Sequence, residues 1–128
     1  MAFNKVHHMA IICSDYKKSK SFYVDTLGLE VQNETYREER QSYKLDLTLN
    51  GDYIIELFSF PNPPQRMSRP EASGLRHLAF EVADVAYEKQ TLENKGVAVE
   101  PIRIDTFTQK KFTFFADPDG LPIELYEK

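Results

Sequence analysis

The chain has 128 residues and a mass of 14.9 kDa, the size of one ordinary globular domain. Its 16 basic and 20 acidic side chains give a net charge of −4, so no cationic surplus is available for a phosphate backbone and we expect no nucleic-acid partner. The single cysteine excludes an internal disulfide and an all-thiolate metal site. Apolar runs are too short for a membrane span, so we expect a soluble, cytoplasmic protein without a membrane partner.

The first half of the chain is predicted to form a strand, a helix and three further strands. Residues 5–12 are apolar and rich in β-branched side chains, which is typical of a buried strand. Ser14 and Asp15 can cap a helix over residues 16–27, and Gly28 can end it. Strands follow over residues 29–40, 42–49 and 53–60, the last two joined by the turn Asn50-Gly51-Asp52.

The second half repeats this order after a proline-rich segment, residues 61–74, which is predicted to be a loop. Residues 75–82 are a predicted strand, and Asp84 can cap a helix that continues to about residue 95, before Gly96. Three more strands are predicted over residues 97–104, 111–116 and 121–126, with a hairpin turn at residues 117–120.

The two halves also match in sequence, which indicates an internal repeat. The segment His8-Met-Ala-Ile precedes His77-Leu-Ala-Phe by 69 residues, and Asp15 precedes Asp84 by the same interval. Gly51 precedes Gly120 by 69 residues, and Ile55-Glu56-Leu57-Phe58 precedes Ile123-Glu124-Leu125-Tyr126 by 68. Agreement of four landmarks within one residue favours two copies of one module over chance similarity between apolar strands.

The repeat selects His8 and His77 among the three histidines, because they occupy the same place in the two modules. His7 has no counterpart and is interpreted as a spare, exposed residue. A lone strand histidine is more often structural than a ligand, but two at equivalent positions favour a shared role.

Glu56 and Glu124 are unusual because each lies in an apolar strand. A carboxylate in such surroundings is costly unless it meets a cation, a donor or a metal ion. An arginine partner, or an edge strand that leaves the carboxylate in water, would explain either glutamate alone. Two modules related by a pseudo-twofold axis would instead gather two His and two Glu around one point. This donor set suits Zn, Ni, Co, Mn or Fe.

At these residues the sequence resembles the vicinal oxygen chelate superfamily, and within it the metal-dependent glyoxalase I-like proteins. The resemblance covers nearly the whole chain and rests on VHHMAI, SKSFYVDTLGLEV, IIELF, GLRHLAFEV and DPDGLPIELYE. It implies an α+β fold in which two tandem βαβββ modules form a curved mixed sheet around a metal cleft. A single domain over residues 1–128 would then consist of module one (1–60), a connecting loop (61–74) and module two (75–128).

The resemblance further implies that one divalent metal ion is held by His8, Glu56, His77 and Glu124. In glyoxalase I-type chemistry the metal stabilises an enediolate while a glutamate ligand removes and returns the substrate proton. We expect Glu124 to be this base, with Glu56 as the alternative, because the repeat does not separate them. Fosfomycin-resistance and dioxygenase members use two His and one Glu, so the second glutamate favours a lyase or isomerase.

Two positions depart from the glutathione-using relatives, which carry Arg four residues after the first His and Asn four residues after the first Glu. Ile12 and Phe60 stand there, so glutathione is not expected as a co-substrate. Cationic side chains elsewhere could form a rim that selects a small, oxygenated anionic substrate, although each could equally belong to a solvated face. The candidates are Arg37, Arg69, Arg76, Lys110 and Lys111, within a wider group that includes Arg40, Arg66 and Arg103.

Two other functions remain open. A metal-free protein of the bleomycin-resistance type would sequester a ligand between its modules, and a ferrous dioxygenase would use oxygen, although the four-ligand set argues against it. A homodimer is expected, as in many relatives, and the metal ligands could then come from one chain or from two.

Overall fold

The computed structural model describes all residues from Met1 to Lys128 and divides into two compact units, Met1–Gln65 and Arg66–Lys128. Each unit contains one helical segment and one four-stranded sheet with parallel and antiparallel pairs. The predicted tandem βαβββ modules are therefore confirmed. None of the helices has the length and apolar character that crossing a membrane requires.

The first unit begins its regular structure with strand β1 (Met9–Cys13) and helix α1 (Tyr16–Ser21), which continues into a π-helical turn at Phe22–Thr26. The Asp15 carboxylate caps α1 by accepting from the backbone N–H of Lys18. Strands β2 (Glu30–Arg37), β3 (Ser42–Leu49) and β4 (Asp52–Ser59) follow, and the sheet order is β1-β4-β3-β2.

The second unit repeats this plan with strand β5 (Leu78–Val82) and helix α2 (Val85–Asn94), which Asp84 caps through the backbone N–H of Tyr87. Strands β6 (Arg103–Ile104), β7 (Lys111–Ala116) and β8 (Pro122–Glu127) complete the sheet in the order β5-β8-β7-β6. No strand or helix lies between β4 and β5, as predicted for the proline-rich segment.

One face of each sheet is apolar and forms the core of its unit. Leu45 pairs with Leu57 and Leu47 with Ile55, and these four side chains are fully buried in the first unit. In the second unit Ile123 and Thr113 are fully buried in the same way, and helix α2 packs on β7 and β8. Because side chains alternate along a strand, the intervening residues of the central strands lie on the opposite face.

Several strands are shorter than predicted, and the register explains why. Strand β1 starts at Met9, opposite Ile55, rather than at Lys5, which in this parallel register would lie opposite Gly51 in the hairpin turn. Strand β5 is shortened in the same way. The strand predicted over 97–104 is reduced to Arg103–Ile104, because Pro101 has no N–H to donate to a ladder. The strand predicted to reach Arg40 ends at Arg37, before a 3₁₀ turn.

Candidate metal centre

His8 and His77 occupy equivalent places in the two units, each one residue before the first strand. Glu56 on β4 is the register partner of Ala10 on β1, and Glu124 on β8 is the register partner of Ala79 on β5. Each histidine therefore lies two positions before the residue that faces the glutamate, on the sheet face away from the core. The repeat brings each predicted His together with the predicted Glu of its own unit.

The two pairs have nearly the same geometry. His8 Nε2 lies 3.8 Å from Glu56 Oε1, and His77 Nε2 lies 3.7 Å from Glu124 Oε1. The two glutamate side chains are 16% and 15% exposed, so neither carboxylate lies freely in water. Glu124 has no arginine partner and lies on an inner strand, so neither simple explanation applies to it. Glu56 also lacks an arginine partner, but Lys44 is a cationic neighbour of its carboxylate.

Polar side chains that the sequence interpretation did not single out surround Glu56. Lys44 Nζ lies 3.5 Å from Glu56 Oε2 and 3.0 Å from the Asp46 carboxylate. The Tyr53 hydroxyl donates to the same two carboxylates, to Glu56 Oε2 at 3.2 Å and to Asp46 Oδ1 at 2.9 Å. The hydrogen bond to Asp46 raises the pKa of Lys44, and burial together with Asp46 raises the pKa of Tyr53. Both groups keep their protons near neutral pH and hold Glu56 in place.

Glu124 has a different environment. Phe114 is its register partner on β7, at the place that Asp46 occupies opposite Glu56. The Phe114 ring meets the edge of His77 at a centroid distance of 5.1 Å. The 68-residue offset of the repeat relates Asp46 to Phe114, so this difference between the modules was visible in the sequence.

The second ring nitrogens of the histidines have unlike partners. His8 Nδ1 lies 2.8 Å from His7 Nδ1, and the His8 ring stacks on Tyr53 at 5.0 Å. His77 Nδ1 lies 3.3 Å from Arg76 Nη1. A guanidinium only donates, so it favours an unprotonated Nδ1 on His77 and places the proton of the neutral ring on Nε2. Binding of a metal ion at His77 Nε2 would therefore require this contact to be given up, whereas His7 can accept a hydrogen bond from His8 Nδ1 and leave His8 Nε2 unprotonated. His7, interpreted as a spare, therefore contacts a candidate ligand.

Imidazole nitrogen and carboxylate oxygen facing each other are a donor set that fits a divalent metal ion, although Lys44 already offsets part of the charge of Glu56. Each pair supplies only two donors, and no group of three or more His, Cys, Asp or Glu side chains is arranged to hold a metal ion. A complete site would need donors beyond one pair.

A cavity of about 780 Å³ lies within the second unit, between the proline-rich segment and the sheet. Arg69 and Arg76, both predicted to bind substrate, line it together with Arg66 and Arg103. Lys110 and Lys111 are exposed and lie outside the cavity. Arg37 lies in the first unit, where its guanidinium covers the Phe58 ring at 4.8 Å and donates to Ser42 at 2.9 Å.

Comparison with known proteins identifies the family. The model of the Glyoxalase/Bleomycin resistance protein/Dioxygenase superfamily matches residues 5–125. The chain belongs to this superfamily, the vicinal oxygen chelate proteins. Within it, the chain is 64% identical to YwkD of Bacillus subtilis over 100% of both chains, and 60% identical to YaeR of Escherichia coli over 100% of this chain and 99% of the relative. A glyoxalase family protein from Enterococcus faecalis has a similar structure, with a TM-score of 0.92 and 49% identity over 99% of this chain and all of its own.

Fosfomycin-resistance proteins of the superfamily are also related. The glutathione transferase FosA of Serratia marcescens is 30% identical over 94% of this chain and 79% of its own length. FosX of Listeria monocytogenes, whose structure was determined with Mn(II) and dihydroxypropylphosphonic acid, shares the fold with a TM-score of 0.75 at 18% identity, over 98% of this chain and 93% of that one.

Proposed function

We propose that this protein is a divalent-metal-dependent lyase or isomerase of the glyoxalase I type, acting on a small, oxygenated, anionic substrate. The matched His–Glu pairs carry the proposal: equivalent residues of both modules hold imidazole Nε2 and carboxylate Oε1 3.8 and 3.7 Å apart. Repetition of this unusual arrangement in both modules favours one shared role over two unrelated structural ones.

In this proposal one divalent ion takes His8 and Glu56 from one module and His77 and Glu124 from the other. The two pairs would hold this ion together, either from the same chain or from two copies in a homodimer. When bound, the ion would act as a Lewis acid that stabilises negative charge developing on two neighbouring substrate oxygens.

Glu124 serves as the general base. It removes a proton from an oxygen-bearing carbon of the substrate and returns it to the neighbouring carbon, so the reaction is an internal redistribution of hydrogen that needs no external oxidant. Glu56 is less suited to this role, since Lys44 and Tyr53 hold its Oε2 at 3.5 and 3.2 Å. Glu124 faces Phe114 instead, and His77 is its one ion-pair partner in the structure.

Proton exchange tests this function directly. The full-length protein, loaded with Zn²⁺ or Ni²⁺, is incubated in D₂O with a panel of hemithioacetals and 2-hydroxy acids, and deuterium at carbon is followed by NMR. We expect at least one class to exchange with the wild type and to exchange far more slowly with Glu124→Gln. Failure of every class to exchange with the metal-loaded protein would contradict the proposal.

A further inference from the structure

The cavity of the second unit combines an aromatic surface with unbalanced positive charge. Four guanidinium groups and two carboxylates, Glu71 and Glu100, are its only charged lining groups. Phe112, Phe114 and Phe115 line it, and Phe112 and Phe114 lie on the face of β7 opposite the buried Thr113 and Phe115.

Three of the four arginines are engaged within the unit. Arg66 donates to the carbonyl oxygens of Leu75 at 2.6 Å and Arg76 at 3.1 Å, and so links the proline-rich segment to the residues just before β5. Arg76 pairs with Glu71 at 2.5 Å, and Arg103 pairs with Glu100 at 2.6 Å. Both cavity carboxylates are thus occupied.

Arg69 is the exception, because it makes no hydrogen bond or ion pair in the structure while lining the cavity. The hydrogen bond from Arg76, with the charges of Arg76 and Arg69, lowers the pKa of Glu71. Glu71 remains ionised and paired with Arg76, so the guanidinium of Arg69 is the one available to an incoming anion.

Arg103 also lies against the aromatic surface. Its guanidinium carbon is 4.9 Å from the centre of the Phe112 ring and 5.6 Å from that of Phe114. The two rings meet edge to face at 6.2 Å. Together these three side chains, the Arg103–Phe112–Phe114 platform, offer planar cationic and aromatic surfaces to a conjugated group.

We propose that this cavity binds an organic anion with an aromatic body, the anionic group pairing with Arg69 and the ring lying on the Arg103–Phe112–Phe114 platform. A very small acid would leave most of the roughly 780 Å³ unfilled and the platform uncovered. The assignment rests on the proposed function and names its substrate class, because Phe114 also contacts His77 and is the register partner of Glu124.

Two acids that differ only in the group on the 2-oxo carbon test this assignment. Phenylglyoxylate carries a phenyl ring where pyruvate carries a methyl group, and binding of each to the full chain is measured by calorimetry, with and without Zn²⁺. We expect phenylglyoxylate to bind about tenfold more tightly than pyruvate, because only its ring covers the platform.

The variants separate the two parts of the proposed site. Arg69→Gln should weaken both acids about tenfold, while Lys17→Gln, which removes an exposed charge of the first unit that does not line the cavity, should weaken neither. Phe112→Leu should abolish the preference for the phenyl acid. Arg103→Lys should do the same while keeping the charge, and as a half-exposed residue it does not endanger folding.

Equal affinity for the two acids, or equal effects of Arg69→Gln and Lys17→Gln, would overturn the assignment. A preference for phenylglyoxylate that persists in protein unable to bind Zn²⁺ would leave the cavity assignment standing and remove the metal chemistry.

Discussion

Glu56 and Glu124 hold equivalent positions in the repeat, yet their neighbours give them different freedom. Lys44 and Tyr53 restrain Glu56, whereas the aromatic ring of Phe114 lies opposite Glu124. A restrained carboxylate suits a permanent ligand, and a general base must exchange its proton with the substrate carbon.

This difference predicts unequal effects of matched substitutions. Glu124→Gln should lower the rate of substrate proton exchange by about 10²–10⁴-fold, the usual contribution of a general base. Glu56→Gln should weaken metal binding and retain exchange once the metal is supplied in excess. Proton-exchange rates measured by NMR at saturating metal check this prediction. A larger loss of rate in Glu56→Gln than in Glu124→Gln would make Glu56 the general base and Glu124 the permanent ligand.

His7 provides a second prediction, because it is placed to accept a hydrogen bond from His8 Nδ1–H and leave His8 Nε2 free for a metal ion. His7→Ala should weaken Zn²⁺ binding about 10–100-fold, the usual effect of losing such a partner. His7→Gln keeps an acceptor and should recover part of the affinity. Zn²⁺ titration by calorimetry measures both, and unchanged affinity in His7→Ala would show that the His7 contact has no role.

At the scale of elements, the helix of each unit is fixed at its start by an aspartate cap. Asp84 accepts from Tyr87 N–H at 3.0 Å, and Asp15 accepts from Lys18 N–H at 3.1 Å. Asp84→Ala should lower the free energy of unfolding by about 1 kcal/mol, and Asp84→Asn should be nearly neutral because asparagine caps equally well. Denaturant unfolding measures both, and equal losses in the two variants would contradict the capping role.

A carboxylate also ties helix α1 to strand β2. Lys20 Nζ donates to Glu34 Oε2 at 2.8 Å, and the Tyr16 hydroxyl donates to the same oxygen. These two hydrogen bonds lower the pKa of Glu34 below its ordinary 4.5. The stabilisation is therefore present above pH 4.5 and is lost as the pH falls through the lower folded-state pKa.

Glu34→Gln should accordingly lower the free energy of unfolding at pH 7 by a few tenths of a kcal/mol, since solvent screens this half-exposed group. The difference from the wild type should vanish in acid below the folded-state pKa. Urea unfolding at the two pH values measures it, with Glu30→Gln as a control on the same strand. A lower free energy of unfolding of Glu34→Gln that persists in acid would mean that the interactions of the ionised Glu34 carboxylate are not its source.

The sequence predicts the elements well where alternation and caps act locally, as in β7, whose bounds Lys111–Ala116 match the prediction, and in both helix starts. It fails where pairing partners decide the outcome: Lys5 has no strand to pair with, and Pro101 interrupts a ladder that its apolar neighbours favour. The His–Glu pairs follow from the repeat, and its 68-residue offset also relates Asp46 to Phe114. That these two residues lie opposite the glutamates depends on register, which local patterns do not specify.

At the scale of the whole molecule, the proposal requires the pairs of the two modules to share an ion. Two double variants distinguish a site within one chain from a site between two: His8→Ala with Glu56→Ala, and His77→Ala with Glu124→Ala. Neither should bind Zn²⁺ tightly alone. If the site lies between chains, a refolded mixture should regain binding, because a mixed dimer rebuilds one complete set of ligands.

In that mixture, calorimetry with Zn²⁺ and size-exclusion chromatography report the outcome. Recovery of binding in a dimeric fraction assigns each site to two chains, and absence of recovery in a dimer assigns it to one. Tight Zn²⁺ binding by either double variant alone would contradict the shared site, because half of its proposed ligands would then be dispensable.

Zn²⁺ titration of the metal-free wild type, compared with His8→Ala and His77→Ala, shows whether the two modules share one metal ion. A shared four-ligand site predicts saturable binding of about one ion per ligand set, and a large loss of affinity in each variant, although the two histidines belong to different modules. Absence of binding to the wild type, or affinity unchanged by both substitutions, would contradict it and favour a metal-free protein that sequesters its ligand.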